Sequence, residues 1–284
     1  MRVQRMPNNP VITLDMGDLE GNINGPSLIG APEWLERPLG NYYLYFAHHN
    51  GTYIRLAYAD DIEGPWRIYE PGTLKLEEAH AILHVASPDV HVDNAQQQIR
   101  MYYHSPVSEG GQRTKVAISK DGIHFKASPE NLGQPYFRVF RWDGWHYAIG
   151  MPGIFYRSRD GLTDFQPGPT LFADNMRHCA LKLDGGKLSV YYSMVGDAPE
   201  CIYLSTIDLT PDWMEWVPGD RQNVLRPELD HEGSNLPNEP SKRGAIMEPV
   251  NQLRDPCVYV EDGVTYLLYS VAGEQGIALA KLLD

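Results

Sequence analysis

The sequence predicts an all-β fold, a five-bladed β-propeller of four-stranded antiparallel blades filling residues 1–284 as a single domain. Three observations carry this. A strand–turn–strand pattern recurs five times at a spacing of roughly 40–60 residues, the period of propeller blades. The chain is rich in strand and turn formers, with 17 Tyr, 6 Trp, 26 Gly and 22 Pro. Amphipathic helical periodicity is weak throughout.

The strongest element of each repeat is an aromatic-aliphatic run, which reads as a strand. The five runs are Tyr42-Tyr-Leu-Tyr-Phe-Ala47, Ile99-Arg-Met-Tyr-Tyr-His104, Trp145-His-Tyr-Ala-Ile-Gly150, Leu188-Ser-Val-Tyr-Tyr-Ser193 and Thr265-Tyr-Leu-Leu-Tyr-Ser270. A preceding strand and turn are visible before four of them. The turns are Asp93-Asn94, Asp143-Gly144, Asp184-Gly-Gly186 and Glu261-Asp-Gly263. Asp-Gly between alternating apolar residues is the strongest short hairpin signal. A third strand follows each run, as in Ile54-Arg-Leu-Ala-Tyr-Ala59 and Lys115-Val-Ala-Ile-Ser119. In four units a turn and an aromatic fourth strand come next, marked by Trp66, Phe125, Phe165 and Trp216. Blades are expected near 22–72, 83–130, 133–170, 174–218 and 250–284. The last unit lacks a fourth strand, and Val11-Ile-Thr-Leu14 at the N-terminus is expected to supply it and close the ring.

Composition narrows the function. The formal net charge is −13, from 24 Lys plus Arg against 37 Asp plus Glu. Such a chain is a poor polyanion binder, because phosphate contacts need clustered cations. No apolar run approaches the ~20 residues of a membrane span, and the start Met1-Arg-Val-Gln-Arg-Met-Pro lacks the apolar segment of a secretory signal. Cys179, Cys201 and Cys257 have no pairing spacing and read as small buried hydrophobes in a reducing interior. A cytoplasmic protein is therefore expected, with neither nucleic acid nor membrane as partner.

In a propeller the starts of the inner strands and the loops between second and third strands gather on one face, so residues distant in sequence converge there. The inner starts are Asn24-Gly25, Ser87-Pro88, Tyr136, Arg177-His178 and Asp255. The loops add His48-His49, His104, Asp197 to Glu200, and Glu274-Gln275. A long connection, 218–253, carries Glu228, Asp230, His231, Glu232, Glu239 and Glu248 and must cross the same face. Asp255 is a candidate general base or transition-state stabiliser, or else a salt-bridge partner of Arg254 or Arg177. Period two puts Asp89, His91 and Asp93 on one face of their strand. Asp93 reads as the turn residue, and Asp89 as the functional candidate. Glu248 and Glu200 are the acid candidates. Asn24, His48, His49, His104, Arg177, His178 and Glu274 are the substrate-binding candidates. Trp34 and Trp142 could stack on sugar faces or simply pack. The histidines show no HxH or HExxH spacing, so no metal site is assigned and no cofactor is expected, with a lone divalent cation in the channel left open.

Tyr42-Tyr-Leu-Tyr45 with Ala57-Tyr-Ala-Asp-Asp61 and Gly64-Pro-Trp66, Lys120-Asp-Gly-Ile-His-Phe125, and Arg254-Asp-Pro-Cys-Val-Tyr-Val-Glu-Asp-Gly-Val-Thr-Tyr-Leu-Leu-Tyr269 together resemble the five-bladed propellers of glycoside hydrolase family 43, with related families 117, 32 and 68. The resemblance runs from about Gly25 to Lys281. It implies inverting hydrolysis of a small sugar or oligosaccharide by a base Asp in blade one, a modulating Asp in blade two and an acid Glu in blade three. This chain departs from that triad. Asn24-Gly-Pro-Ser27 replaces the first Asp-Pro, Ser87-Pro88 precedes Asp89, and blade three offers Tyr136 and no glutamate. Asp255-Pro256 alone keeps the family's Asp-Pro form. Family 117 can use a histidine acid, a role open here to His48, His49 or His178. A glycosidase and a non-catalytic carbohydrate-binding or scaffold propeller are thus both readings of the chain.

Overall fold

The Asp-Gly pairs fold as hairpins, and this sets the blades. In the computed structural model, which describes residues 1–283, Asp143-Gly144 and Asp262-Gly263 both adopt positive φ (45° and 71°, 50° and 76°). That is the two-residue turn whose twist matches flanking strands. Five antiparallel four-stranded blades result, with inner strands Asn24–Gly30, Ala86–Asp93, Arg138–Trp142, Met176–Asp184 and Arg254–Glu261. The expected blade order holds. No helix among the described residues is long and apolar enough to cross a membrane.

Two boundaries differ from the sequence reading. The outer strand of blade four is Gln222–Leu225, and the expected Trp216 instead follows a short 3-10 turn, Trp213–Glu215. Trp216 is still buried, where its ring packs on Tyr147 of blade three at 4.9 Å. Its aromatic character reported packing rather than strand. The long connection accordingly runs 226–253 rather than 218–253. Ring closure is also larger than expected. Ile12–Thr13 pairs with the last strand, Gly276–Leu283, but Arg2–Arg5 pairs with it too and forms the blade's outer edge.

The core lies between blades. Leu44 and Phe46 of blade one pack with Leu268 and Leu279 of blade five, and the opposite face of blade one, with Tyr43 and Tyr45, packs on Ile99 and Met101 of blade two. Three further layers join blades two and three, three and four, and four and five. This explains the aromatic second strands: both faces of each are buried, so alternation gives way to continuous apolar character. Their hydroxyls tie blades together. Tyr45 donates to Gly122 O at 2.8 Å and Tyr102 to Gly161 O at 2.7 Å, each reaching the Asp-Gly turn of the next blade. Gly122 is required there, because its φ is +75° and a Cβ would lie 2.9 Å from the Tyr45 hydroxyl. The three cysteines are free and buried.

Candidate active site

Four of the five inner strands begin with an irregular step. Pairing slips between Asn24 and Ser27, Ala86 and Asp89, Met176 and Cys179, and Arg254 and Cys257. Gly25, Ser87 and Asp255 take left-handed φ at three of these slips (61°, 49° and 47°), and Tyr136 does so just before the blade-three inner strand (65°). Such conformations are costly for residues with a Cβ and persist where the surroundings impose them, commonly at binding or catalytic sites. The bulges turn the strand starts toward the mouth of the propeller.

A cleft of about 340 Å³ opens there, lined by His49, Arg113, Tyr136, Arg177, His178 and Arg243 among others. Beneath it lies a buried network of ion pairs. Arg254 Nη1 is 3.0 Å from Glu274 Oε1, and its Nε is 3.6 Å from Glu200 Oε2. Arg177 Nη1 also donates to Glu200 Oε2 at 3.4 Å, and Ser193 Oγ donates to Glu200 Oε1 at 2.7 Å. Glu274 further accepts from Asn22 Nδ2 at 2.6 Å and meets His49 Nδ1 at 3.2 Å. Burial disfavours the charged form of Glu274, but bonding to His49, Arg254 and Asn22 overrides this and holds its pKa down at about 2. Asn24 Nδ2 lies 3.4 Å from both His49 Nδ1 and Asn22 Oδ1.

The second cluster is aromatic. Tyr136 lies between His104 and His178, with ring centroids 4.0 and 4.4 Å away, and His84 meets His104 edge-on at 6.1 Å. His178 Nδ1 sits against Asp255 Oδ1, and Ser270 Oγ donates to Asp255 Oδ2 at 3.3 Å. Burial first, then the charges of Arg177, His49, Arg138 and Arg254, push His178 well below the usual histidine range. Burial likewise pushes His104 down, reinforced by His84, His49 and Arg138.

The mouth therefore gathers Asn24, His49, His104, Arg177, His178, Glu200, Asp255 and Glu274. Three placements differ in detail from the sequence reading. His104 is within a strand, Gln98–Pro106, paired with Ala86, because that hairpin is longer than its apolar run. Asp255 pairs with His178 and not with Arg254 or Arg177, because those arginines are taken by the two buried glutamates. His48 stands beside the cluster, its Nδ1 accepting from Asn50 N at 3.0 Å.

Two of the catalytic candidates, Asp89 and Glu248, are not brought in. Asp89 lines a separate cavity of about 350 Å³ in the central channel, bounded by the inner strands. It bonds to His91 Nε2 at 2.7 Å and accepts from Val139 N at 2.8 Å. It stands on the channel side of the bulge, whereas Asp255 is on the bulge itself. Glu248 is solvent-exposed and makes none of the network's bonds among the described residues. Trp34 and Trp142 also lie away from the mouth: Trp34 donates to Asn94 Oδ1 at 2.9 Å, at the far end of the blades, and Trp142 to Leu209 O at 3.2 Å. Among the described residues no three or more His, Cys, Asp or Glu side chains form a group that could hold a metal ion.

Sequence reasoning left Tyr136, Arg113, Arg243, Asn22 and Arg254 out of the site. Tyr136 was in view as an inner-strand start, and its place there was the available signal. Nothing in local sequence marked Asn22 or Arg113.

No protein-family model matches the chain. A curated relative does: the uncharacterized protein R118 of Acanthamoeba polyphaga mimivirus is 38% identical over 320 residues, spanning 99% of this chain and 90% of that protein. The chain belongs to the R118 family. Solved structures extend the fold of this R118-family chain to glycoside hydrolases. CoXyl43, a family-43 β-xylosidase/α-arabinofuranosidase from a compost microbial metagenome in complex with xylotriose, has a TM-score of 0.67 at 14% identity, covering 99% of this chain and 96% of its own. A family-43 enzyme from Xanthomonas citri complexed with xylose gives 0.65 at 13%, covering 92% and 87%. A structure from the family of mannoside phosphorylases that contains hydrolases of β-1,2 mannosidic linkages in Candida mannan gives 0.72 at 12%, covering 98% and 93%. The R118-family chain thus shares the five-bladed propeller of the family-43 enzymes.

Proposed function

We propose that this protein is a glycoside hydrolase acting on a small sugar or oligosaccharide at the mouth of its propeller, within a reducing cytoplasm. One observation carries the reading. Two histidines that line one cleft each have Nδ1 engaged by a carboxylate, His49 by Glu274 and His178 by Asp255. A carboxylate at Nδ1 fixes the tautomer and orientation of the ring and leaves Nε2 to carry out proton transfer.

Burial keeps His178 neutral, which suits a base. In the proposed reaction His178 takes a proton from water, the resulting hydroxide adds to the anomeric carbon, and the glycosidic C–O bond breaks. His49 gives its proton to the departing oxygen. Asp255 and Glu274 position the two rings, and Glu200 holds Arg177. Two groups of opposite protonation flanking one bond are what general acid–base cleavage needs. The histidines would take over from the departed family triad. The carbohydrate ligands of the related folds, xylose and xylotriose, support a sugar in this cleft.

A second reading, a carbohydrate-binding propeller without activity, is favoured by the ion pairing of both buried glutamates. A panel of aryl glycosides assayed with the wild type, His178→Ala and His49→Ala decides between them. Turnover lost in either variant supports hydrolysis. Absence of turnover by the wild type, with saccharide binding retained, establishes the binding propeller.

A further inference from the structure

We propose that the mouth cleft anchors an acidic sugar, through an oxyanion (a carboxylate or a phosphate monoester) held by Arg113 and Arg243; this rests on the hydrolase reading above. The chain carries a net charge of −13, yet no carboxylate residue is among those lining the cleft, whereas Arg113, Arg177 and Arg243 are. The two arginines and two glutamates of the buried ion-pair network cancel. Arg177 pairs with Glu200, and Arg254 with Glu200 and Glu274. Arg113 and Arg243 make no ion pair among the described residues, so the surplus positive charge of the mouth rests on them.

Arg243 also belongs to the one pair of adjacent cations in the sequence, Lys242-Arg243. The segment is fixed over the cleft: Ser241 N donates to Asp197 O at 3.0 Å, Gly196 N donates to Ser241 Oγ at 3.0 Å, and Arg177 Nη1 donates to Lys242 O at 3.1 Å. Arg113 enters from the facing side, on the strand Gln112–Ser119. Its Nη1 donates to Gln112 O at 2.8 Å, and Arg243 Nη2 donates to Asp174 O, which leaves the remaining donors of each guanidinium unassigned. A guanidinium presents its donors as a fork that matches carboxylate and phosphate oxygens, and its charge is weakly hydrated. A neutral sugar would leave both forks without a charged partner.

Titration calorimetry at low ionic strength with glucuronate, glucose 6-phosphate, glucose and inorganic phosphate tests this, using the wild type, Arg113→Ala and Arg243→Ala. Both arginines are at least partly exposed, so folding of the variants is checked by circular dichroism. At least one of the two acidic sugars should bind about tenfold or more tightly than glucose, the equivalent of one charged hydrogen bond, and either substitution should remove most of that preference. Which acid is preferred tells carboxylate from phosphate. Equal binding of all three sugars overturns the inference, as does a preference unchanged in both variants. Inorganic phosphate binding as tightly as glucose 6-phosphate overturns it as well, because the sugar then adds nothing. Neutral aryl glycosides turned over without any anion preference would sink this inference alone; anion preference without turnover of any glycoside would sink the hydrolase alone.

Discussion

His49 and Glu274, from the first and last blades, meet at 3.2 Å at the seam where the ring closes. The same carboxylate also receives Arg254 and Asn22. Replacing it should therefore uncouple seam and site together. Glu274→Gln leaves the buried Arg254 with an incomplete counter-charge and should cost about 3–5 kcal/mol, the range for one lost partner of a buried pair. Urea unfolding measures this. A midpoint within experimental error of the wild type would refute the role given to Glu274.

In the proposed reaction Asp255 acts through His178. Asp255→Asn retains shape but loses the charge that orients the imidazole, so kcat should fall by about 10²–10⁴ while KM changes little. The pH–rate profile should also lose or move the limb belonging to the base. A kcat equal to that of the wild type on any aryl glycoside the enzyme turns over would rule the dyad out.

Acid should weaken the fold in two stages. His104 and His178 are held neutral when folded but protonate in the unfolded chain below about 6.5. The unfolded state then binds more protons, and stability drops as pH falls through that value. Glu274, with its folded pKa near 2, contributes fully above the ordinary glutamate value of about 4.3 and loses that contribution as pH falls further. Urea midpoints measured from pH 8 to pH 3 should show both steps, and His104→Phe should flatten the first. A flat curve between pH 7 and pH 5 would contradict the neutral state of these imidazoles.

Glu232 fastens the long connection to the closing strand. It is fully buried, accepts from Arg5 Nε at 2.7 Å and Tyr269 Oη at 2.9 Å, and takes the backbone N–H of Glu228 at 2.8 Å. Glu232→Ala should cost about 3–5 kcal/mol. It should also speed hydrogen exchange in Arg2–Arg5 more than in the blade-three hairpins. Uniform acceleration across all blades would mean that the contact is not a local fastening.

Asp89 is the control. It sits in the channel with His91 and Val139 N, so Asp89→Asn should cost about 1–3 kcal/mol and leave kcat/KM within about twofold. A collapse of kcat/KM on an enzyme shown to be folded would return Asp89 to the catalytic machinery.

The blades were legible because their signals are local. Asp-Gly turns and Tyr-rich runs each occupy fewer than ten residues, and the repeat supplied the rest. Asp255, His178 and Glu274 were also legible, since equivalent positions on successive blades must converge. The pairing among them was not. Whether Asp255 meets Arg254 or His178 depends on side-chain competition between three blades, which no single strand encodes. Asp89 lies in the channel and not at the mouth: two places beyond the left-handed residue Ser87, the strand is already inside it. Arg2–Arg5 carries no strand signal of its own, because Arg2-Val-Gln-Arg5 is four residues with a single apolar side chain, and it becomes a strand only against its partner, Gly276–Leu283.

That late partnership bears on how the protein is made. Asn9 exchanges hydrogen bonds with Leu279 across 270 positions. The segment around Asn9 thus waits for a partner made 270 residues later. Four blades can assemble during translation, but the apolar flank of blade one, with Leu44 and Phe46, stays uncovered until the fifth arrives. A translational stall shortly before the final strand would strand an open ring with a sticky edge, so this stretch of synthesis is where chaperone dependence should concentrate.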